Sequence, residues 1–211
     1  MARLKRRVGV LISGRGSNMA ALLRAAAAAD FPAEIVLVLA NRADAGGLAT
    51  ATAAGVAVAV VEHRRFGGDR AAHEVAVAAA LDAAGVELVC LAGYMRLFTP
   101  FLVGRYAGRM LNIHPSLLPA FPGVDTHARA LAAGVKLHGC TVHLVTETMD
   151  AGPILAQAAV PVLADDTADD LAARVLVQEH ILYPLALRLF IQGGGVMPAA
   201  DAVLCNPLAS G

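Results

Sequence analysis

The 211-residue sequence lacks tryptophan, has few aromatic residues and carries no surplus of either charge. Its 17 basic and 17 acidic side chains cancel, which excludes the basic footprint of a nucleic-acid-binding protein and the acidic block of a solvating tail. Long apolar runs are also absent, because the longest stop at six or seven residues, whereas about 18 are needed to cross a bilayer. We therefore expect neither a nucleic-acid partner nor a membrane span.

Cysteine is scarce, and Cys90, Cys140 and Cys205 form no CxxC pair. An odd number of cysteines without such a pair fits a reducing cytoplasm better than a disulfide framework. The basic start of the chain looks like that of a secretory signal, but the apolar stretch Val8–Ile12 behind it is short and runs into a glycine turn. We interpret this stretch as a first strand and expect a cytoplasmic protein.

Apolar residues make up 57% of the chain, and they recur in an alternating pattern. Short β-branched runs alternate with alanine-rich segments long enough for helices, as in consecutive βαβ units. Such units predict a parallel sheet whose loops gather at the carboxyl edge of the strands, where chemistry is expected. The predicted strands are Val8–Ile12, Glu34–Ala40, Val56–Val61 and Leu88–Ala92, and the predicted helices are Met19–Ala29, Gly46–Ala54 and Asp69–Ala84.

After Ala92 the pattern changes, and the second half of the chain predicts a mixed sheet. Two of its strands are joined by a loop compact enough for an antiparallel return. Thr167, which is followed by acidic residues, predicts the N-cap of a long last helix. The predicted segments are a strand at Met110–Ile113, a helix at about His127–Ala133, strands at His138–Val145 and Ile154–Val162 joined by the loop Thr146–Pro153, and a last helix that ends near Ile191.

Together these elements predict one α/β domain, residues 1–191, with a Rossmann-like three-layer αβα architecture. Its single sheet has a parallel N-terminal half and a mixed, partly antiparallel C-terminal part. Residues 192–211 are predicted to form a glycine- and alanine-rich tail that is loosely ordered.

The loop Ser13–Asn18, with the sequence SGRGSN, lies between the first predicted strand and the first helix. Its two glycines allow a tight turn that leaves backbone N–H groups and two polar side chains at a helix N-terminus, where phosphate is favoured. A dinucleotide fingerprint would need a third glycine where Met19 stands and an acidic residue where Asn41 stands. The loop predicts a phosphate site, and a plain strand-to-helix turn is the alternative.

Asn112 and His114 stand two residues apart at the end of a predicted strand, so their side chains point to the same side. The carboxamide can donate a hydrogen bond to a developing oxyanion, and an imidazole exchanges protons near neutral pH. This pair suits acyl transfer, and a histidine bonded to the loop backbone is the alternative.

Asp150 stands in an acidic loop just before a Gly-Pro turn. If its carboxylate approaches His114, it would hold the imidazole and favour the charged form of the ring. The alternative is a residue that merely forms the turn. Two further histidines, His138 and His143, lie five apart on a predicted strand and so face opposite sides, which argues against a shared metal ion.

Six segments match a known family in their order and spacing: SGRGSN, LAGYMRLF, LNIHPSLLPAFPG, HGCTVHLV, TETMDAGPIL and VQEH. In these segments the chain resembles the folate-dependent phosphoribosylglycinamide (glycinamide ribonucleotide) formyltransferases of purine biosynthesis. The resemblance extends over about residues 8–190. Its most specific part is the combination of the NIHPSLLP segment with the Asp-x-Gly-Pro loop some 36 residues later.

This resemblance implies a set of site residues for each of two ligands, which would meet beside Asn112 and His114. On the ribonucleotide side it implies Gly16, Ser17, Asn18 and Arg70 at the phosphate, and Leu176, Val177, Gln178 and Glu179 in the last helix. On the folate side it implies Met95, Arg96, Leu97, Phe98 and Asn112, with Thr146, Glu147, Thr148, Met149 and Asp150 as the opposite wall. Leu176 replaces a more polar residue, so no side-chain contact is expected there.

The implied reaction transfers a formyl group from 10-formyltetrahydrofolate, a co-substrate, to the primary amine of glycinamide ribonucleotide through a tetrahedral intermediate. Asn112, protonated His114 and Asp150 are the implied catalytic residues, and no metal is expected. Both a monomer and a homodimer stay open.

Several alternatives remain at this stage. Methionyl-tRNA formyltransferase and 10-formyltetrahydrofolate hydrolase share the fold, and each is expected to carry an additional domain that this chain does not predict. From the βαβ start alone, a nicotinamide-dependent dehydrogenase or a non-catalytic nucleotide-binding module is also open.

Overall fold

Strands and helices alternate along the first half of the chain, and two antiparallel strands and a long helix follow in the second half. The computed structural model describes residues 5–195. The elements are β1 (Arg6–Ile12), α1 (Ser17–Ala26), β2 (Ala33–Ala40), α2 (Gly47–Ala53), β3 (Val58–Val60), a 3-10 helix (His63–Phe66), α3 (Arg70–Ala83), β4 (Leu88–Leu91), α4 (Pro100–Arg105), β5 (Met110–His114), α5 (Thr126–Ala132), β6 (Leu137–Leu144), β7 (Ile154–Pro161) and α6 (Ala168–Gln192).

The strands follow the order β3-β2-β1-β4-β5-β6-β7 in one seven-stranded sheet. β1 pairs in parallel with β2 and β4, β2 with β3, and β4 with β5, whereas β6 and β7 pair antiparallel. The predicted α/β class, with a parallel N-terminal half and an antiparallel C-terminal part, is confirmed. Backbone contacts divide the chain into two compact units, Met1–Asn112 and Ile113–Gly211, so the single domain 1–191 stays a prediction.

β1 is the central strand of the first unit, and its sequence suits a strand that is covered on both faces. Every residue from Val8 to Ile12 is buried, as expected for a parallel strand with a neighbour on each edge. The helices that follow β1 and β2, α1 and α2, contact each other. The loop after β1 and the start of α2 are joined by a hydrogen bond of 3.0 Å from the Gly47 N–H to the Gly14 carbonyl.

α6 is the main helix of the second unit, where it packs on both β6 and β7. It begins with a capping box, in which Thr167 Oγ1 accepts from the Asp170 N–H at 3.2 Å and the Asp170 carboxylate accepts from the Thr167 N–H at 3.0 Å. The predicted N-cap at Thr167 is therefore confirmed. Glu179 lies on the buried side of this helix, among apolar residues.

The predicted boundaries differ from the observed ones by up to three residues, and two short helices were not predicted. α1 begins at Ser17, directly after Gly16, whereas the predicted start was Met19. β3 covers only Val58–Val60, the stretch in which it pairs with β2 at the edge of the sheet. The sequence pattern predicts neither α4 nor the 3-10 helix, since each is too short to show helical periodicity.

The end of the chain is described as far as Gly195. α6 ends at Gln192, and Gly194 and Gly195 take positive φ values of 76° and 80°, a conformation that favours glycine. Most of the predicted tail 192–211, with Cys205, lies outside the described residues. Within residues 5–195 no helix is long and apolar enough to cross a membrane.

Candidate active site

The loop Ser13–Asn18 places backbone N–H groups at the start of α1, as predicted. Gly16 takes a positive φ of 70° immediately before the helix, so Ser17 and Asn18 occupy its first turn. The N–H groups of a first turn have no acceptor within their own helix, which makes this end of α1 suited to an anion. Gly47 lies against the loop, because a β-carbon built on Gly16 would be 3.1 Å from Gly47 Cα.

The segment Met95–Phe98 has no regular secondary structure and connects β4 to α4. Met95 and Leu97 expose 76% and 56% of their surface, so this short segment presents two apolar side chains to solvent. The N–H of Met95 donates to Ser13 Oγ at 2.8 Å, so this segment is tied to the loop after β1. Arg70, the fourth residue implied at the phosphate, is the exposed first residue of α3.

Asn112 and His114 both lie in β5, with one residue between them, as predicted. His114 is buried, and its Nε2 lies 3.2 Å from the carbonyl oxygen of Phe121. A carbonyl oxygen only accepts hydrogen bonds, so Nε2 carries the hydrogen in this contact. The predicted contact of this histidine with loop backbone is therefore present, alongside the contact with Asp150 described next.

Asp150 brings its carboxylate to the other ring nitrogen of His114, with 3.6 Å between Oδ2 and Nδ1. The same oxygen accepts a hydrogen bond of 2.8 Å from the N–H of Gly123, which fixes the carboxylate in place. Asp150 has a positive φ of 53°, a conformation that aspartate tolerates better than most residues. Only 10% of the Asp150 side chain and 7% of the His114 side chain are exposed, so solvent screens their attraction weakly.

His143 is a second histidine beside Asp150, and the sequence did not identify it as part of the site. Its Nε2 lies 3.9 Å from Asp150 Oδ1, and its Nδ1 donates to the Leu144 carbonyl at 3.0 Å. Burial lowers the pKa of His143, although the hydrogen bond to Leu144 and the charge of Asp150 oppose this. The register between β6 and β7 shifts between Val142 and His143, and the expectation that His138 and His143 face opposite sides stays a prediction.

His138, which is buried, forms an aromatic cluster with the half-buried residues His127 and Phe121. The rings of His127 and His138 meet edge to face at 5.2 Å between centroids, and Phe121 meets His138 at 5.8 Å. Burial, reinforced by the charge of His127, lowers the pKa of His138 to about 4. Burial also lowers the pKa of His127. Phe121 thus connects this neutral cluster to His114, whose ring nitrogen its carbonyl contacts.

The remaining predicted residues lie in a loop and in a helix of the second unit. Thr146–Met149 are exposed in the loop between β6 and β7, where Thr146 Oγ1 donates to the Thr148 carbonyl at 3.1 Å. Leu176–Glu179 form one turn of α6, with Val177 exposed and Glu179 buried. Across residues 5–195 no group of three or more His, Cys, Asp or Glu side chains is arranged to hold a metal ion.

The chain is similar in sequence and fold to known formyltransferases. A family model described as formyl transferase matches residues 6–187. The phosphoribosylglycinamide formyltransferase of Escherichia coli is 45% identical over 184 residues, which cover 87% of this chain and 86% of that protein. A crystal structure of phosphoribosylglycinamide formyltransferase from Brucella melitensis superimposes with a TM-score of 0.84 at 62% identity, and the match covers 88% of this chain and 95% of that one.

A longer relative also matches. The trifunctional purine biosynthetic protein adenosine-3 of Gallus gallus is 46% identical over 201 residues, which are 95% of this chain. The match covers only 20% of that protein, so the chain spans about a fifth of the trifunctional relative.

Proposed function

Because the chain belongs to the formyl transferase family, we propose that it transfers a formyl group from 10-formyltetrahydrofolate to the primary amine of glycinamide ribonucleotide. The products are the N-formyl ribonucleotide and tetrahydrofolate, so the chain acts in purine biosynthesis as a one-carbon transferase. The observation that carries the proposal is the buried pair of His114 and Asp150, because an imidazole held by a carboxylate is suited to moving a proton during acyl transfer.

The ribonucleotide is bound by the loop after β1 and by α6. Gly16, Ser17 and Asn18 receive the phosphate at the N-terminus of α1, and Arg70 adds a positive charge. Glu179 binds the polar part of the ribonucleotide, and Leu176, Val177 and Gln178 line the same turn of α6. The exposed first turn of α3 and the open N-terminus of α1 support these roles.

The folate is bound by the segment Met95–Phe98 and by the loop Thr146–Asp150, with Asn112 beside the formyl group. The exposed side chains of Met95 and Leu97 support this role, since apolar surface that faces water is available to cover a pterin ring. In the loop Thr146–Asp150, Met149 is also an exposed apolar side chain.

The amine nitrogen attacks the formyl carbon, and the carbonyl oxygen becomes an oxyanion. The Asn112 carboxamide and protonated His114 donate hydrogen bonds to this oxygen. His114 then gives its proton to the folate nitrogen as the carbon–nitrogen bond breaks, and the proton lost by the amine leaves through water. Asp150 keeps the imidazole charged and oriented.

Substrate must displace one protein contact for His114 to act in this way. In the structure Nε2 donates to the Phe121 carbonyl and Nδ1 faces Asp150. We infer that the reacting oxygen replaces the Phe121 carbonyl at Nε2, because the Asp150 contact is fixed by the Gly123 N–H. The reaction needs no metal and no nucleic acid, and we propose that the chain works in the cytoplasm as a monomer or homodimer.

The deciding experiment measures consumption of 10-formyltetrahydrofolate by purified protein with and without glycinamide ribonucleotide. We expect consumption only when the ribonucleotide amine is present, with one formylated ribonucleotide formed for each formyl folate consumed. Consumption at the same rate without the ribonucleotide would contradict the proposal and indicate hydrolysis. Tight binding of NAD without binding of a folate analogue would instead favour a dehydrogenase.

A further inference from the structure

Glu74 is a buried carboxylate that the proposed reaction does not use. It lies in α3, and only 2% of its surface is exposed. A buried carboxylate destabilises the folded protein unless hydrogen bonds replace those that it made with water. The partners that Glu74 has acquired therefore indicate what this residue is for.

Those partners all lie at the start of α4. Glu74 Oε1 accepts from the Thr99 N–H at 2.6 Å, and Oε2 accepts from the Thr99 hydroxyl at 2.6 Å and from the Leu102 N–H at 3.3 Å. Thr99 is the N-cap of α4, so Glu74 satisfies backbone donors that the short helix cannot satisfy itself. A residue 25 positions earlier in the chain thus fixes the point at which the preceding segment ends.

The segment that ends at Thr99 is Met95–Phe98, which we propose to bind the folate. It has no helix or strand to define its course, and its described anchors are side chains at its two ends. Ser13 Oγ receives the N–H of Met95, and the Glu74 carboxylate receives the hydroxyl and N–H of Thr99. The ring of Tyr94, just before the first anchor, stacks on the ring of Phe98, with 5.4 Å between the ring centroids and 7° between the ring planes.

We propose that Glu74 is a positioning residue for folate, which acts by holding Thr99 and thereby the course of Met95–Phe98. This inference rests on the proposed function, because it takes Met95–Phe98 to be the folate segment. Its consequence is selective. Loss of the carboxylate loosens the folate segment at its Thr99 end and should leave phosphate binding by the loop Ser13–Asn18 largely unchanged, because the hydrogen bonds of Glu74 described above are made with Thr99 and Leu102.

The experiment compares three variants of the full chain in two binding measurements. Glu74→Ala removes the three hydrogen bonds that the Glu74 carboxylate accepts from Thr99 and Leu102. Glu74→Gln keeps an oxygen for the Thr99 N–H and an amide that can donate to the Thr99 hydroxyl. Asp82→Asn is the matched control, since it removes another carboxylate of α3 that contacts α4, through the exposed ion pair with Arg105 at the far end of that helix. The probes are 5,8-dideazafolate and glycinamide ribonucleotide, each titrated by calorimetry.

We expect Glu74→Ala to weaken 5,8-dideazafolate binding about tenfold while ribonucleotide binding changes less than about twofold. Glu74→Gln should recover most of the folate affinity, and Asp82→Asn should change neither affinity. In the Ala variant the amides of Met95–Thr99 should also exchange hydrogen faster. Equal weakening of both ligands, or unchanged folate affinity in a folded Glu74→Ala protein, would overturn the proposal.

A second variant keeps the test decisive if Glu74→Ala does not fold. Thr99→Val removes the hydroxyl that donates to Glu74 and accepts from the Phe101 N–H, and it should weaken folate binding about threefold, again without an effect on the ribonucleotide. If Thr99→Val showed no selective loss of folate affinity, the proposal would be overturned. Failure of the unmodified chain to bind 5,8-dideazafolate is distinguishable, because it would remove the proposed function and the role of Glu74 together.

Discussion

Gly47 lies so close to the loop after β1 that a β-carbon there would be 3.2 Å from Gly16 Cα and 2.6 Å from Ile12 Cδ1. Its N–H also donates to the Gly14 carbonyl. The first residue of α2 therefore supports the loop that we propose to bind phosphate, although it belongs to a different βα unit.

Gly47→Ala should for this reason weaken phosphate binding. The new methyl group must push Ile12 or the loop aside, and a shift of the loop N–H groups should raise the KM for glycinamide ribonucleotide about tenfold with little change for the folate. Gly46→Ala is the control, because a β-carbon on Gly46 has nothing within 4 Å. Steady-state kinetics of both variants would check this, and equal KM values for the ribonucleotide would count against the proposed phosphate loop.

Removal of a reacting group should slow turnover without unfolding the protein. We expect Asn112→Ala and His114→Ala each to lower kcat by about a hundred- to a thousandfold, the usual effect of losing a donor to an oxyanion. Circular dichroism should show folded variants, and stopped assays with both substrates saturating should give kcat. Turnover near that of the unmodified chain in either variant would exclude that residue from the proposed mechanism.

Asp150→Asn tests the charge of the carboxylate separately from its place in the backbone. Asparagine accepts the positive φ of 53° and can still accept from the Gly123 N–H, so the fold should be retained. The neutral amide cannot hold a charged imidazole, so kcat should fall by about a hundredfold or more.

A matched control for Asp150→Asn is Asp125→Asn, at another aspartate with a positive φ, in this case 55°. It should leave kcat unchanged. Similar losses in the two variants would mean that the backbone conformation matters and the charge of Asp150 does not.

The buried histidines should make the protein less stable in acid. The pKa of His138 falls to about 4 in the folded protein, whereas an unfolded chain takes up this proton near pH 6.5. The stabilisation is therefore fully present above pH 6.5 and is lost as the pH falls from 6.5 towards 4. Between pH 7.5 and pH 5 this one residue should account for about 2 kcal/mol of the free energy of unfolding.

His138→Gln is the variant that checks this pH dependence. Urea unfolding of both proteins at pH 7.5 gives the packing cost of the substitution, and the same measurement at pH 5 gives the part due to titration. Between pH 7.5 and pH 5, the free energy of unfolding of the variant should fall by about 2 kcal/mol less than that of the unmodified chain. The same loss in both proteins would show that His138 does not contribute.

Tyr94→Phe should stabilise the protein slightly. The hydroxyl of Tyr94 is fully buried without a hydrogen-bond partner, and burial raises its pKa far above the usual value. Phenylalanine removes that unsatisfied group and retains the stacking on Phe98, so the free energy of unfolding should rise by about 1 kcal/mol. Chemical denaturation measures the difference, and a loss of stability would reveal a partner for the hydroxyl.

The sequence predicted what depends on local patterns. The runs of β-branched residues between alanine-rich segments predicted the strands, and Thr167 with Asp170 predicted the start of α6. The resemblance, rather than any local pattern, implied a contact between His114 and Asp150, whose atoms lie 3.6 Å apart. The roles of these residues stay predictions.

Features that depend on distant residues were missed. α4 has six residues, and Glu74, which is far from it in the chain, supplies acceptors for its first N–H groups, so no local signal marks it. His143 was considered only as a possible metal ligand, because its contact with Asp150 depends on the course of the loop between them. Its sequence neighbourhood, HGCTVHLV, was the only available signal, and it became informative only beside Asp150.

The left-handed backbone at Asp150 narrows which amino acids can replace it. Glycine, asparagine and aspartate fit there with little strain, and of these three only aspartate is negatively charged. Random mutation at this codon would thus most readily yield folded proteins that carry an uncharged residue opposite His114. If Asp150 has the proposed role, such variants would accumulate in cells at normal levels with much reduced activity, so a screen for solubility or abundance would fail to detect them, whereas a screen for growth without purines would detect them.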